Sequence, residues 1–269
     1  MSALEPIPYG SNGHAQGSVG DEPLGGHGQP KTHFDEPSID FSAQDTKITD
    51  VTLGELREIA GRYPQPRSAL LPMLHLVQSV EGRITPAGIE ACSTILGISN
   101  ADVSGVATFY TMYKRKPVGT YHVGVCTTAL CAIVGGDQVF ERLQSHLGVG
   151  NDETTEDGTI TLEHLECNAA CDYAPVMMVN WEFFDNMTPE SACAVVDRLR
   201  AGDEVTATRG ARVVTWTQAE RVLAGYPDGR ADEGPTSGPA SRLGLDIARK
   251  RGWSAPAPPQ GDPESKEDS

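Results

Sequence analysis

The stretch Tyr121-His122-Val123-Gly124-Val125-Cys126-Thr127-Thr128-Ala129-Leu130-Cys131 decides how this 269-residue chain is read. Tyr121, Val123 and Val125 alternate with His122 and Gly124, the period of a β-strand, and the strand runs directly into a cysteine. Further on, Ile160 and Leu162 alternate with Thr161 and Glu163, and this second strand leads into Cys167-Asn168-Ala169-Ala170-Cys171. Two cysteine pairs, one with four intervening residues and one with three, therefore each follow a strand, and all four thiols can converge at one end of a sheet. A [2Fe-2S] cluster needs four thiolates, two per iron, and loops of this length let each pair clasp one edge of it. The loop residues are small or neutral, so backbone N–H groups can approach the sulfurs and tune the centre.

Three other readings use the same residues. Structural zinc also takes four cysteines, but its pairs more often have two intervening residues. A thiol redox centre prefers C-x-x-C, which is absent. A Rieske-type centre puts two histidines in place of one cysteine pair; His122 and His164 are close in sequence but lie inside the strands, and both pairs are already complete. The spacing favours the all-cysteine cluster over a zinc-stabilised scaffold. Cys92 and Cys193 fall on apolar helix stripes without neighbouring ligands and read as small buried hydrophobes.

Outward from the strands, Gly135-Gly136-Asp137 opens a helix carrying Val139, Phe140, Leu143 and Leu147. Val176 to Val179 is a short apolar strand, with Trp181 to Phe184 as its hairpin partner around Asn180. Thr188-Pro189-Glu190 starts a helix with Ala192, Val195, Val196 and Leu199. Strand, helix, strand, strand, strand, helix is an α/β layer arrangement with the dimensions of a thioredoxin-like domain, 117–202. Before it, 48–116 reads as a helical bundle. Leu53, Leu56, Ile59 and Ala60 form a first stripe, and Ala69, Leu70, Met73, Leu74, Val77 and Val80 a second. Thr85 and Pro86 start a helix facing inward through Ile89, Cys92, Ile95 and Leu96, and Ser99 caps another through Val103, Val106 and Phe109.

The ends differ in composition. Residues 1–47 and 225–269 hold 12 of the 19 prolines and 14 of the 29 glycines, leaving Ile48 to Ala224 as the part able to bury a core. Residues 1–47 read as a disordered or partner-ordered tail, and 203–269 as a C-terminal extension with one patterned island, Arg242 to Trp253, that suits a partner surface. No apolar run approaches the ~18 residues of a membrane span, and the first residues lack the charged and apolar regions of a signal peptide. The net charge of −16 argues against nucleic acid and against a polybasic membrane surface. Gly148-Val149-Gly150 is the nearest approach to a dinucleotide loop, but Asp152 and Glu153 would repel a pyrophosphate, so a nicotinamide and a flavin belong on another chain. From Leu143 to Asp197 there are eleven acids and no Lys or Arg. Glu166 and Asp172 flank the second pair, which predicts a low-potential centre.

The segments Ala107-Thr108-Phe109-Tyr110-Thr111-Met112-Tyr113, Cys126 to Cys131, and Glu166-Cys167-Asn168-Ala169-Ala170-Cys171-Asp172-Tyr173-Ala174-Pro175 resemble the E-subunit family of bacterial NADH-quinone oxidoreductase (respiratory complex I), the flavoprotein 2 type, over about Tyr63 to Leu199. The resemblance implies a helical module, a thioredoxin-like ferredoxin domain, and one [2Fe-2S] cluster ligated by Cys126, Cys131, Cys167 and Cys171. It also implies that this subunit does not turn over alone and exchanges single electrons with the FMN of an NADH-binding partner, as a side reservoir. The assembly would be peripheral on the cytoplasmic side of the membrane, with the tails reaching the large iron-sulfur subunit. An NAD-linked formate dehydrogenase or hydrogenase uses a similar module and is the alternative host. The second loop departs from the commoner pattern, which has Leu-Gly where Asn168-Ala169 stand. Phe109, Tyr110, Met112 and Tyr113, followed by Lys114, Arg115 and Lys116, offer either an interface or packing between the two modules.

Overall fold

The computed structural model describes residues 45–234 and 237–255; most of the N-terminal tail expectation lies outside them. Ordered packing begins at Ile48, which is buried, and Lys47 N–H donates to Glu81 Oε1 at 2.9 Å. Four helices follow: α1 (Asp50–Gly61), α2 (Leu70–Glu81), α3 (Pro86–Leu96) and α4 (Asn100–Phe109). Their starts are set locally. Thr85 Oγ1 accepts from Gly88 N–H at 3.1 Å with Pro86 in the first turn, and Ser99 and Asp102 cap each other reciprocally, which satisfies amide donors that no helix can satisfy internally. Leu56, Ile59, Met73, Leu74, Leu76, Val77, Cys92 and Val103 form the core of this bundle.

Two expected faces are rotated. In α3 the buried residues are Ala87, Gly88, Ala91, Cys92 and Ser93, while Ile89, Ile95 and Leu96 are only partly covered. The reason is close packing: a Cβ on Gly88 would lie 2.3 Å from Val77 Cγ1, so α3 turns its small residues toward α2. In α4, Val103 is buried but Phe109 is 77% exposed. A spacing of three falls short of a 3.6-residue turn, so Val103, Val106 and Phe109 drift around the helix and the last one leaves the core.

The second module is a five-stranded sheet in the order β2-β3-β1-β4-β5, with β1 (Tyr121–Cys126), β2 (Glu153–Thr154), β3 (Ile160–Leu165), β4 (Met177–Val179) and β5 (Glu182–Phe184). β1 and β3 run parallel, and the other neighbours are antiparallel. Between β1 and β2 come the short helix α5 (Ala129–Ile133) and α6 (Gly136–Leu147), and α7 (Pro189–Ala201) follows β5. Val123, Val125, Val139, Leu143, Leu162, Met177, Val179, Val196 and Leu199 share one core. The parallel pair fits its connection, since a crossover through helices is what joins parallel neighbours.

β1 is buried on both faces, His122 and Gly124 as well as Val123 and Val125. The His122 face is covered by Trp181 and Trp216, whose rings lie 6.0 and 5.4 Å from the His122 ring. Trp216 opens α8 (Trp216–Leu223), which packs against α2 with Glu220 and Ala224 completely buried. Val205 and Ala207 belong to the core of the sheet. The segment 203–226 therefore packs into both modules. A final helix, α9 (Pro239–Lys250), has no buried residue.

Candidate functional site

Cys126 is the last residue of β1, level with Leu165 at the end of β3. Because the two strands are parallel neighbours, the loops after them leave the same edge of the sheet and bring the two cysteine pairs together. Cys126 and Cys131 are buried, whereas Cys167 and Cys171 are exposed. Cys126, Cys131, Ala170 and Val176 form a small apolar cluster of their own, with Ala174 and Phe183 against it. Gly136 stands where a Cβ would lie 2.5 Å from the Cys126 carbonyl oxygen and 2.9 Å from that of Cys131, so the start of α6 packs directly on the first loop.

In the second loop Cys167 Sγ and Cys171 Sγ are 3.8 Å apart, and Ala169 N–H donates to Cys167 Sγ at 3.4 Å. Ala169 achieves this with a φ of 53°, a left-handed conformation that turns successive N–H groups toward one side. The pairs sense one another. Burial opposes ionisation of Cys126, yet hydrogen bonds from Thr128, from Cys131 and from the backbone N–H of Asn168 outweigh it and draw its thiol below the ordinary value. Burial and the Cys126 thiolate push Cys131 up to about 11, and Cys167 beside it raises Cys171. Among the described residues no three His, Cys, Asp or Glu side chains close on a single point as one metal ion requires. The thiols are grouped as two pairs, the arrangement that fits a two-iron cluster held from both sides. Outside this set, Cys92 and Cys193 are buried far from either loop in sequence, and burial pushes Cys92 up to about 12.

The acidic segment looks different in three dimensions. Glu163 pairs with Lys114 at 2.5 Å and receives His122 Nε2–H at 2.6 Å. Lys116 reaches Asp152, Arg200 reaches Asp157 and Arg209 reaches Asp185, while His146 lies 2.6 Å from Asp197. The counter-bases missing from the linear segment are thus supplied by residues before and after it. Glu166 and Asp172 remain as the exposed acids beside the second pair.

Sequence reasoning missed the supports of that loop. Asp172 accepts a hydrogen bond from the Ser241 hydroxyl, and Tyr173 Oη accepts from Ala240 N–H at 3.2 Å, so the start of α9 rests on the second cysteine loop. Arg209 lies 4.1 Å from the Phe183 ring centroid and 5.9 Å from that of Tyr173. Leu130, Ile133 and Val134 are exposed beside Cys131, with Ile133 82% exposed. Of the aromatic run, Tyr113 is buried with its Oη–H donating to Leu71 O at 2.8 Å, while Phe109 and Tyr110 are exposed and stacked edge-on at 4.9 Å.

A thioredoxin-like sheet that delivers two cysteine loops to one edge defines a class, and the model of the thioredoxin-like [2Fe-2S] ferredoxin family matches residues 56–200 of this chain. The NADH-quinone oxidoreductase E subunit of Mycobacterium tuberculosis (strain ATCC 25618 / H37Rv) is 58% identical over 209 residues, covering 77% of this chain and 83% of that protein. Its counterpart of the same name from Rickettsia conorii is 39% identical over 58% of this chain and 98% of its own length. The chain belongs to the family of NADH-quinone oxidoreductase E subunits, on the thioredoxin-like [2Fe-2S] ferredoxin fold. The crystal structure of the thioredoxin-like [2Fe-2S] ferredoxin from Aquifex aeolicus is 22% identical, with a TM-score of 0.26 over 32% of this chain and 91% of that one.

Proposed function

We propose that this chain is an electron-transfer subunit of a proton-translocating NADH-quinone oxidoreductase, holding one [2Fe-2S] cluster through Cys126, Cys131, Cys167 and Cys171. The observation that carries the reading is the pair of cysteine loops brought to one sheet edge by the parallel register of β1 and β3. The donor chemistry fits: four thiols, grouped two and two, with the backbone N–H of Ala169 directed at the Cys167 sulfur. When bound, such a cluster accepts and returns one electron at a time and makes no bonds to substrate.

The chain's own residues do the holding and the shielding. Cys126 and Cys131 are anchored in apolar packing with Val176, while Cys167 and Cys171 sit on an exposed loop. This asymmetry favours electron exchange through the exposed second loop. FMN and NADH are assigned to a partner subunit, because no stretch of this sequence fits a dinucleotide loop. Exposed Leu130, Ile133 and Val134 beside the first loop, and Phe109 and Tyr110 at the end of α4, are apolar surfaces suited to that partner. The basic helix α9 is the segment suited to the large iron-sulfur subunit. No helix among the described residues is long and apolar enough to cross a membrane, and we assign the chain a peripheral position on the cytoplasmic side, held there by its complex.

Anaerobic purification of the full chain, with its visible spectrum and iron and acid-labile sulfide assays, tests the central claim. Two irons and two sulfides per chain are expected. A colourless, zinc-loaded chain would overturn the reading.

A further inference from the structure

Two side-chain polar atoms among the described residues are buried without a hydrogen-bond partner: Asn168 Nδ2 and Trp216 Nε1. A buried donor left unpaired forfeits its hydration with nothing in return, so each such atom calls for a specific explanation. Trp216 stands among the aromatic rings of His122 and Trp181, whose π faces attract an N–H group. Asn168 stands between the two cysteines of the second loop, where the neighbouring Ala169 N–H donates to Cys167 Sγ at 3.4 Å. Its enclosed amide donor therefore lies in the loop that would wrap the cluster.

We infer that the side-chain amide of Asn168 donates a hydrogen bond to a sulfur of the cluster and so raises its midpoint potential; the inference rests on the four-cysteine cluster proposed above. A centre of two ferric ions, two sulfides and four thiolates carries two negative charges. One electron from an external reductant converts one ferric ion to ferrous and raises the charge to three. An amide N–H facing a sulfur stabilises the more negative state more, which moves the potential upward. The opposite orientation of the amide would set its carbonyl oxygen against anionic sulfur, so the electrostatics select the N–H. Asp172 and Glu166 act in the other direction, and Asn168 offsets them from within the loop.

The test uses the full chain with its cluster. Asn168→Leu keeps the branched shape and removes the donor, whereas Asn168→Asp replaces it with a carboxylate. In redox titrations followed by electron paramagnetic resonance, Asn168→Leu is expected to titrate at lower potential. Its oxidised-to-reduced ratio at the wild-type midpoint should rise about tenfold, which is about 59 mV for a one-electron couple, and Asn168→Asp should titrate lower still. Asn168→Leu with full iron and sulfide content and an unchanged midpoint overturns the inference. Should that variant fail to assemble, wild-type protein labelled with side-chain ¹⁵N-asparagine decides the matter. Pulsed electron paramagnetic resonance of the reduced state is expected to show a coupled ¹⁵N, and its absence overturns the inference equally. A wild-type chain lacking iron and sulfide would instead refute the four-cysteine reading itself.

Discussion

Replacing Glu163 with glutamine removes a largely buried carboxylate that ties the helical module's exit to the sheet. Glu163 Oε2 receives both Lys114 Nζ and His122 Nε2, and the side chains of all three are largely buried, at 17%, 9% and 3% exposed. Burial opposes its ionisation, but those two partners together outweigh burial and hold its pKa at about 2, against an ordinary 4.5. A difference of this size corresponds to about 3.4 kcal/mol, at about 1.4 kcal/mol for each tenfold change in proton affinity. Breaking a buried pair while leaving Lys114 without its counter-charge costs a similar amount, about 3 to 5 kcal/mol. Because the folded-state value is depressed, the contribution is complete above pH 4.5 and is lost as the pH falls through 2. Glu163→Gln should therefore lower the unfolding free energy of the cluster-free chain by about 3 kcal/mol at pH 7, but by only about 1.4 kcal/mol at pH 3. Urea titrations at the two pH values, followed by tryptophan fluorescence, measure both differences. A loss below about 1 kcal/mol at pH 7, or one of equal size at pH 3, would refute the assignment of Glu163 as an ionised buried tie.

Further outcomes concern the C-terminal segment, the docking surface and the second loop. Truncation after Asp228 removes part-buried ion pairs such as Arg230–Glu233 and should cost about 1 kcal/mol. Truncation after Gly202 also removes buried Trp216, Glu220 and Ala224, and should cost more than about 4 kcal/mol or abolish folding; urea unfolding of the two chains separates these outcomes. Tyr110→Ala, at a side chain 40% exposed, should leave stability within about 0.5 kcal/mol while weakening capture by the flavin-binding subunit at least tenfold in a calorimetric titration. Unchanged affinity would remove Tyr110 from the interface. Asp172→Asn should raise the cluster's midpoint in a redox titration, since it removes an anion from beside Cys171, and an unchanged midpoint would show that solvent screens that charge.

Much of the architecture is legible in the sequence because its causes are local. A cap such as Thr85, Ser99 or Thr188 bonds an amide three residues away, so it leaves its mark in neighbouring letters. The alternation of Ile160 to Glu163 marks a strand for the same reason. The faces are harder to read. The wide apolar side chains of α3 promise a buried stripe, yet Gly88 is what packs on Val77 of α2, because how closely two helices approach depends on both partners. The alternation in β1 marks a strand but not the burial of its His122 face, which Trp216 at the start of α8 covers 90 residues after β1 ends.

The sequence by itself determined the kinds and order of most elements, α5, β2 and α8 excepted, and the placement of four cysteines after two strands, since periodicity, caps and loop lengths are properties of neighbouring residues. Only the tertiary structure decided what those residues meet. Parallel pairing of β1 with β3 set the two cysteine loops side by side. Glu163 found Lys114 across 49 positions, and His75 and Gln78 found buried Glu220 across 145 and 142. The acids that stood unpaired along the chain acquired bases from outside their segment. Charge and burial act through space, and the folded path of the backbone sets those distances.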